Sequence, residues 1–302
     1  MPVEPYRGRF APSPTGPLHA GSMVAALASW LDARAHRGTW LVRIEDIDPP
    51  REQAGAARDI LATLADFGLT SDEPVLWQHT RREAYAEALA KLERAGRVYA
   101  CQCSRARIAE ATAPGTTAAV YPGTCRELGL VSRPGRALRL RVGDAVVAFD
   151  DRACGHCSQQ LARDVGDFVV RRADGLFAYQ LAVVVDDSGQ RITDVVRGAD
   201  LLDNTPRQIA LQRALGAAQP RYLHVPIVRT PAGEKLSKQS GALALDRTRV
   251  VEELARAGRH LGAPAFGADS PAAFLRLATE WWHERWMRPP TMQGKERIED
   301  GR

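Results

Sequence analysis

The sequence predicts an α/β fold in which a parallel sheet is interrupted by an inserted segment. Three observations predict it. The chain opens as strand, Pro/Gly-rich loop, helix and strand; a stretch of short strands, turns and cysteines follows; strand and helix patterns then resume. A β-α-β opening implies parallel strands, and such sheets place ligands at their strand ends.

Each element has a local reason. Arg7 to Ala11 reads as a short strand ending at Pro12. The next helix begins near Gly21, carries Met23, Val24, Leu27, Trp30 and Leu31 at helical spacing, and stops at Gly38. Trp40 to Ile44 is apolar and β-prone and ends in Glu45, Asp46 and Asp48. Helices follow over about Gln53 to Phe67 and Arg81 to Arg94, the second stopped by Gly96. Asp167 to Arg172 and Phe177 to Val185 read as strands around the turn dipeptide Asp174-Gly175. Ile192 to Val196 and Tyr222 to Val228 read as strands flanking a helix near Pro206 to Leu215. Helical segments near Thr248 to Leu261 and Pro271 to Trp286 precede a polar tail from Met287, expected to be loose. The expected organisation is a first half over 1–96, an insertion over 97–173, a second half over 174–240 and a short helical C-terminal segment over 241–302.

Composition narrows the class. No run of about 18 apolar residues is available for a membrane span, and the N-terminus lacks the apolar core of a signal peptide. A cytoplasmic protein is expected. A formal charge of +5 leans weakly toward a polyanionic partner. Five cysteines, an odd number without an export signal, argue against a disulfide framework.

Two motifs carry the chemistry. Of the four lysines, two stand in Lys235-Leu236-Ser237-Lys238, although the chain otherwise uses arginine for its cations. Lysine there offers a compact, mobile point charge, suited to phosphates whose charge moves during a reaction. Upstream, Pro12 to Ser22 is a Pro/Gly-rich loop entering a helix, with His19, Gly21 and Ser22 where unpaired N–H groups and the helix dipole favour an anion. Each motif alone also fits a blander structure: Ser22 capping a turn, or lysines in an exposed charged turn. Both together, at opposite ends of an α/β domain, point to an enzyme handling a nucleoside triphosphate.

These residues resemble a known family. Arg9-Phe-Ala-Pro-Ser-Pro-Thr-Gly-Pro-Leu-His-Ala-Gly-Ser22 and Leu41-Val-Arg-Ile-Glu-Asp-Ile-Asp48 look like the start of class I glutamyl-tRNA synthetases. His19-Ala-Gly-Ser22 matches the HIGH signature and Lys235-Leu-Ser-Lys-Gln239 the KMSKS signature, with Ser22 and Gln239 as departures from them. Val195 to Gln208 is also similar, so the likeness runs from about residue 7 to 240. It implies a Rossmann catalytic domain of the class I synthetase type, split by a zinc-containing insertion. It implies an enzyme that uses ATP with Mg²⁺ to activate L-glutamate. His19, Gly21, Ser22 and Lys238 would bind ATP, and His19, Lys235 and Lys238 would be catalytic. Arg9, Ser13, Glu45, Tyr179 and Arg197 match the family's glutamate-binding positions. Glu45 suits an ammonium, and the arginines suit carboxylates. Arg197 is the most informative, because a guanidinium facing the neutral amide of glutamine would lose a charge-assisted bond. Without the family match, Tyr179 would read as an ordinary strand tyrosine.

Cys101, Cys103 and Cys125 have spacing that suggests tetrahedral zinc. Tyr121 as the fourth ligand comes from the resemblance, since a Cys-x-Cys…Tyr-x-x-x-Cys arrangement is similar to one small branch of the family. Cys154 and Cys157 are also ligand-like in spacing but read best as free thiols. Sixty-two residues follow Ser240, fewer than full glutamyl-tRNA synthetases use to read an anticodon. The resemblance is therefore to the short branch, which transfers glutamate to queuosine in tRNA(Asp). A monomer acting away from membranes is expected. Two rival readings are a trimmed synthetase charging a tRNA 3′ end and a non-catalytic module binding RNA or protein.

Overall fold

A computed structural model describes residues 5–110, 120–229 and 243–287. The opening forms as expected. Strand β1 (Arg7–Phe10) leads through the loop into α1 (Ala20–Ala35) and then β2 (Thr39–Ile44), which pairs parallel to β1. Helix α2 (Ala56–Asp66), strand β3 (Leu76–Trp77) and helix α3 (Arg82–Arg94) follow, with β3 parallel to β2. Helix α1 buries Met23, Val24, Leu27 and Leu31 in the core beneath this sheet.

The region expected as an insertion divides in two. Strand β4 (Val98–Cys101), helix α4 (Arg105–Glu110), strand β5 (Ala137–Leu140) and strand β8 (Phe168–Arg171) belong together, the strands forming an antiparallel sheet in the order β4-β5-β8. The hairpin of β6 (Val146–Asp151) and β7 (Gly155–Gln160), followed by the single turn α5 (Leu161–Asp164), lies elsewhere. It extends the sheet of the second half, whose order is β7-β6-β10-β9, where β9 is Asp194–Gly198 and β10 is Arg221–Val225, with Asp151 of β6 paired in parallel to Tyr222. The reason is burial: Val147 and Phe149 face the core shared with Tyr222 and helix α7 (Thr205–Leu215). A length of sequence that looks inserted thus contributes strands to the main sheet.

In the second half, β9 (Asp194–Gly198), α7 (Thr205–Leu215) and β10 (Arg221–Val225) form where the sequence indicates. Phe177 to Val185 does not. Residues Tyr179–Gly189 are a helix, α6. The β-branched run Val183-Val184-Val185 favours a strand locally, but a continuous apolar stretch cannot by itself distinguish a strand from a buried helix. Leu181, Ala182, Val183 and Val184 are all buried in the packed core, and tertiary burial overrides local propensity.

The halves meet at the start of β9, where Thr193 N donates to Arg7 O at 3.0 Å. Helices α8 (Val250–His260) and α9 (Pro271–Trp286) pack on α1. Asp32 of α1 ties these pieces together: its fully buried carboxylate accepts from Tyr6 Oη at 2.7 Å, from Arg152 Nη1 and Nη2 at 2.6 and 2.9 Å, and from Trp282 Nε1 at 2.8 Å. No helix among the described residues is long and apolar enough to cross a membrane.

Candidate active site

The C-terminal ends of β1, β2 and β9 converge on a cavity of about 430 Å³. Its wall includes Arg9, Ser13, His19, Gly21, Ser22, Glu45, Tyr179 and Arg197, so the described residues singled out for glutamate and for ATP come together. Lys235 and Lys238 lie outside the described residues. The chain that follows them returns here: Ala244 bridges His19, and Leu245 N donates to Leu18 O at 3.1 Å.

His19 caps α1, where the bland reading gave that role to Ser22. Its Nδ1 accepts from Gly21 N at 3.1 Å and Ser22 N at 3.4 Å. Ser22, three positions on, accepts from His19 N at 2.8 Å through Oγ, which completes a capping box. The box fixes the imidazole against the first turn of the helix, with the Gly21 and Ser22 N–H groups satisfied by Nδ1. The Ser22 hydroxyl also donates to His19 O at 3.0 Å, so it is engaged within the loop. Gly16, with φ of 136°, adopts a backbone conformation that favours glycine.

The two arginines differ in an informative way. Arg9 Nε donates to Asp187 Oδ1 at 3.0 Å, and Arg43 Nη2 donates to the same oxygen at 2.8 Å. Burial pushes the Asp187 carboxyl upward, but Arg9 and Arg43 prevail and hold it below the usual range. Arg9 is therefore charge-compensated. Arg197, only 5% exposed, is not. It donates to His224 Nε2 at 3.0 Å, Gln208 Oε1 at 2.9 Å, Thr205 Oγ1 at 2.7 Å and Leu201 O at 3.4 Å. Among the described residues these partners are all neutral, and no carboxylate pairs with it. A buried guanidinium with only neutral partners is poised for an anion.

His224 is held in turn by Asp151, 2.7 Å from Nδ1. Because Arg197 Nε can only donate, His224 Nε2 accepts and the imidazole proton sits on Nδ1. Burial lowers the His224 pKa, with Arg197 opposing a second positive charge, so the neutral form is maintained. Asp151, on the hairpin, thus positions Arg197 through His224. Sequence reasoning missed Asp151, His224, Asp187 and Arg43. The visible signal was a charged or polar residue inside an apolar strand, as in Leu41-Val-Arg-Ile and Tyr222-Leu-His-Val.

Glu45 stands at the end of β2, 8% exposed. Burial raises its pKa to about 7 despite Arg43 and Arg9. Its Oε1 has no hydrogen-bond partner among the described residues, although Arg43 Nη2 lies 3.6 Å away. Tyr179 begins α6 and lines the same cavity.

The cysteines form a second site. The Sγ atoms of Cys101, Cys103 and Cys125 lie within 4.8 Å of one another. Tyr121 Oη accepts from Cys125 N at 2.8 Å and is 3.4 Å from Cys101 Sγ. Tyr121 is set by close approach to Gly166, where a Cβ would meet Tyr121 O at 2.2 Å, and Arg139 covers its ring at 3.8 Å. Three soft thiolate donors with a phenol beside them suit a tetrahedral metal ion. Cys154 and Cys157 lie in the β6–β7 hairpin and are not part of this cluster.

Residues 6–255 match the family model for class I tRNA synthetases (E and Q), catalytic domain. The chain is 60% identical over 291 residues to a glutamyl-Q tRNA(Asp) synthetase from Burkholderia cenocepacia, covering 93% of this chain and 97% of that protein. A protein of the same name from Ralstonia nicotianae is 56% identical over 292 residues, covering 93% and 92%. A solved glutamate-tRNA ligase from Elizabethkingia meningosepticum, in complex with its amino acid, superposes with a TM-score of 0.70 at 27% identity. The match covers 79% of this chain and 53% of that one, so the chain spans about half the ligase.

Proposed function

The chain belongs to the class I tRNA synthetases for glutamate and glutamine, and on that premise we propose that it activates L-glutamate with ATP and transfers it to queuosine in tRNA(Asp). The observation that carries the amino-acid assignment is Arg197, a buried cation whose described partners are all neutral. The glutamate side-chain carboxylate supplies the missing anion, and the amide of glutamine does not. Glu45 accepts the substrate ammonium.

In the first step an oxygen of the glutamate α-carboxylate attacks the α-phosphorus of ATP, the bond to the bridging oxygen breaks, and pyrophosphate leaves. His19, Gly21 and Ser22, which line the cavity at the start of α1, bind the nucleotide. Lys235 and Lys238 stabilise charge on the departing phosphates. No covalent enzyme intermediate is needed, so positioning and electrostatics do the work. Magnesium bound with ATP supplies further neutralisation of the phosphates. In the second step a ring hydroxyl of queuosine attacks the acyl carbon, an ester forms, AMP leaves, and the hydroxyl proton passes to solvent. Glutamate-dependent ATP–pyrophosphate exchange, with glutamine and aspartate far poorer, tests the first step.

Glu45 makes this binding pH-dependent. In the free protein its pKa is raised to about 7, and a bound ammonium favours the ionised form. Glutamate binding therefore releases protons near pH 7, and affinity should rise as pH climbs through that value. Calorimetry in buffers of different ionisation enthalpy reads the released proton. The release should vanish in Glu45→Gln; an unchanged release in that variant would assign the proton to another group.

Cys101, Cys103 and Cys125 with Tyr121 are assigned to one structural zinc ion. Elemental analysis should give about one zinc per chain if the site is closed. Cys103→Ser should lose metal and local stability, whereas Cys154→Ser should lose neither. Metal loss confined to the Cys154 variant would place the metal at Cys154 and Cys157 instead.

A further inference from the structure

Beside the glutamate cavity lies a second one of about 640 Å³. The two share Ser13, Thr15, Glu45 and Tyr179, so the second opens onto the place where an activated glutamyl group would sit. Its wall contains polar atoms that lack hydrogen-bond partners among the described residues. Gln78 is fully buried; its Nε2 donates to Asp186 at 2.9 Å, and its Oε1 has no partner. Arg139 is 7% exposed; its Nη1 donates to Asp167 O at 2.7 Å, and its Nε has none. Glu52 is half-buried, and its Oε1, shielded from solvent, is unpartnered among the described residues. Native proteins rarely leave such atoms unsatisfied unless a ligand or water completes them.

The charges of the wall favour a particular ligand. Arg172 pairs with Asp48 at 3.1 Å, Arg51 pairs with the same carboxylate, and Arg139 lies against the Tyr121 ring. Glu52 forms no ion pair among the described residues. Its carboxyl is pushed up by burial and by neighbouring Asp46 and Asp48; with Asp48 already held by Arg51 and Arg172, Glu52 is a carboxylate left to meet a cation. The ribose diol at an RNA 3′ end has no cation to offer. Queuosine does: a secondary alkylamine, protonated at neutral pH, joins its cyclopentene diol to the base.

Resting on the function proposed above, we propose that this second cavity is the acceptor-nucleoside site and that Glu52 pairs with the protonated amine of queuosine. Gln78 Oε1 accepts a hydrogen bond from a ring hydroxyl. The carboxylate thereby selects a cationic, hydroxylated nucleoside over an ordinary ribose end.

The test compares the full-length wild type with Glu52→Gln and Glu52→Asp, with radioactive glutamate and queuosine-containing tRNA(Asp). Loss of a charge-assisted hydrogen bond should lower kcat/KM for the RNA by roughly 10- to 100-fold in Glu52→Gln, chiefly through KM. Glu52→Asp should fall between. Glutamate-dependent ATP–pyrophosphate exchange, which uses no acceptor, should match the wild type in both variants. Wild-type transfer by Glu52→Gln overturns the role of Glu52 and leaves the proposed function standing. Exchange lost together with transfer also overturns it, because Glu52 would then act on adenylation or on the fold. A wild type that labels no queuosine overturns the acceptor reading and this inference with it.

Discussion

An Arg197→Gln variant should lose kcat/KM for glutamate in ATP–pyrophosphate exchange by roughly 10²- to 10³-fold, the range expected when one partner of a buried charge pair is removed. The expectation rests on how the guanidinium is held. His224, Gln208, Thr205 and the Leu201 carbonyl fix its orientation without neutralising it. Asp151 fixes His224 in turn. Glutamine at 197 keeps hydrogen-bonding capacity but removes the charge, leaving the substrate carboxylate buried beside neutral groups. Discrimination against glutamine should collapse along with activity, because the lost group is the one that distinguishes the two side chains. Exchange assays with glutamate, glutamine and aspartate measure both effects. Near-wild-type glutamate kinetics would move the side-chain carboxylate to another part of the cavity.

Lys238→Ala should depress exchange by roughly 10² or more in kcat, by analogy with the removal of a single transition-state hydrogen-bond donor. Pyrophosphate carries its charge away as it departs, so a cation meeting that charge acts more on the transition state than on the bound substrate. KM for ATP should therefore change much less than kcat. Lys238 lies outside the described residues; Ala244, six positions on, pairs with His19. Lys238→Arg should recover little, since a planar guanidinium does not reproduce a compact ammonium. Exchange at the wild-type rate in Lys238→Ala would remove this residue from the mechanism.

Much of the fold was legible because local signals agreed with tertiary demands. Gly38 ends the α1 connection and the apolar spacing of α1 matches its buried face, so this β-α-β unit could be read directly. Two features could not. Val183-Val184-Val185 carries strand propensity into helix α6, where burial on several sides decides the outcome. The β6–β7 hairpin sits among cysteine-rich turns, and its pairing with β10 is a contact between residues some seventy positions apart. Long-range pairing of that kind leaves no local mark.

The cavity shows the same division. Residues proposed to meet substrate, such as His19, Glu45 and Arg197, stand in motifs with chemical meaning at their own positions. Residues that act through them do not. Asp187 looks like the end of an apolar run until Arg9 and Arg43 are found on its carboxylate. Asp151 and His224 are single polar residues within strands until they meet behind Arg197. Such supporting groups are dictated by geometry across the fold, and only the folded chain brings them together.

Whether glutamate is transferred to queuosine is decided by where a glutamate label ends up. Purified protein, ATP and radioactive glutamate are incubated with tRNA(Asp) containing queuosine, with the same tRNA carrying unmodified guanosine, and with tRNA(Glu). The RNA is then digested, and the labelled nucleoside is identified. Label is expected on queuosine alone, retained when the tRNA 3′ end is chemically blocked and absent from the guanosine form. Label on the 3′-terminal adenosine of tRNA(Glu), abolished by blocking that end, would contradict it and identify a synthetase that charges tRNA in the ordinary way.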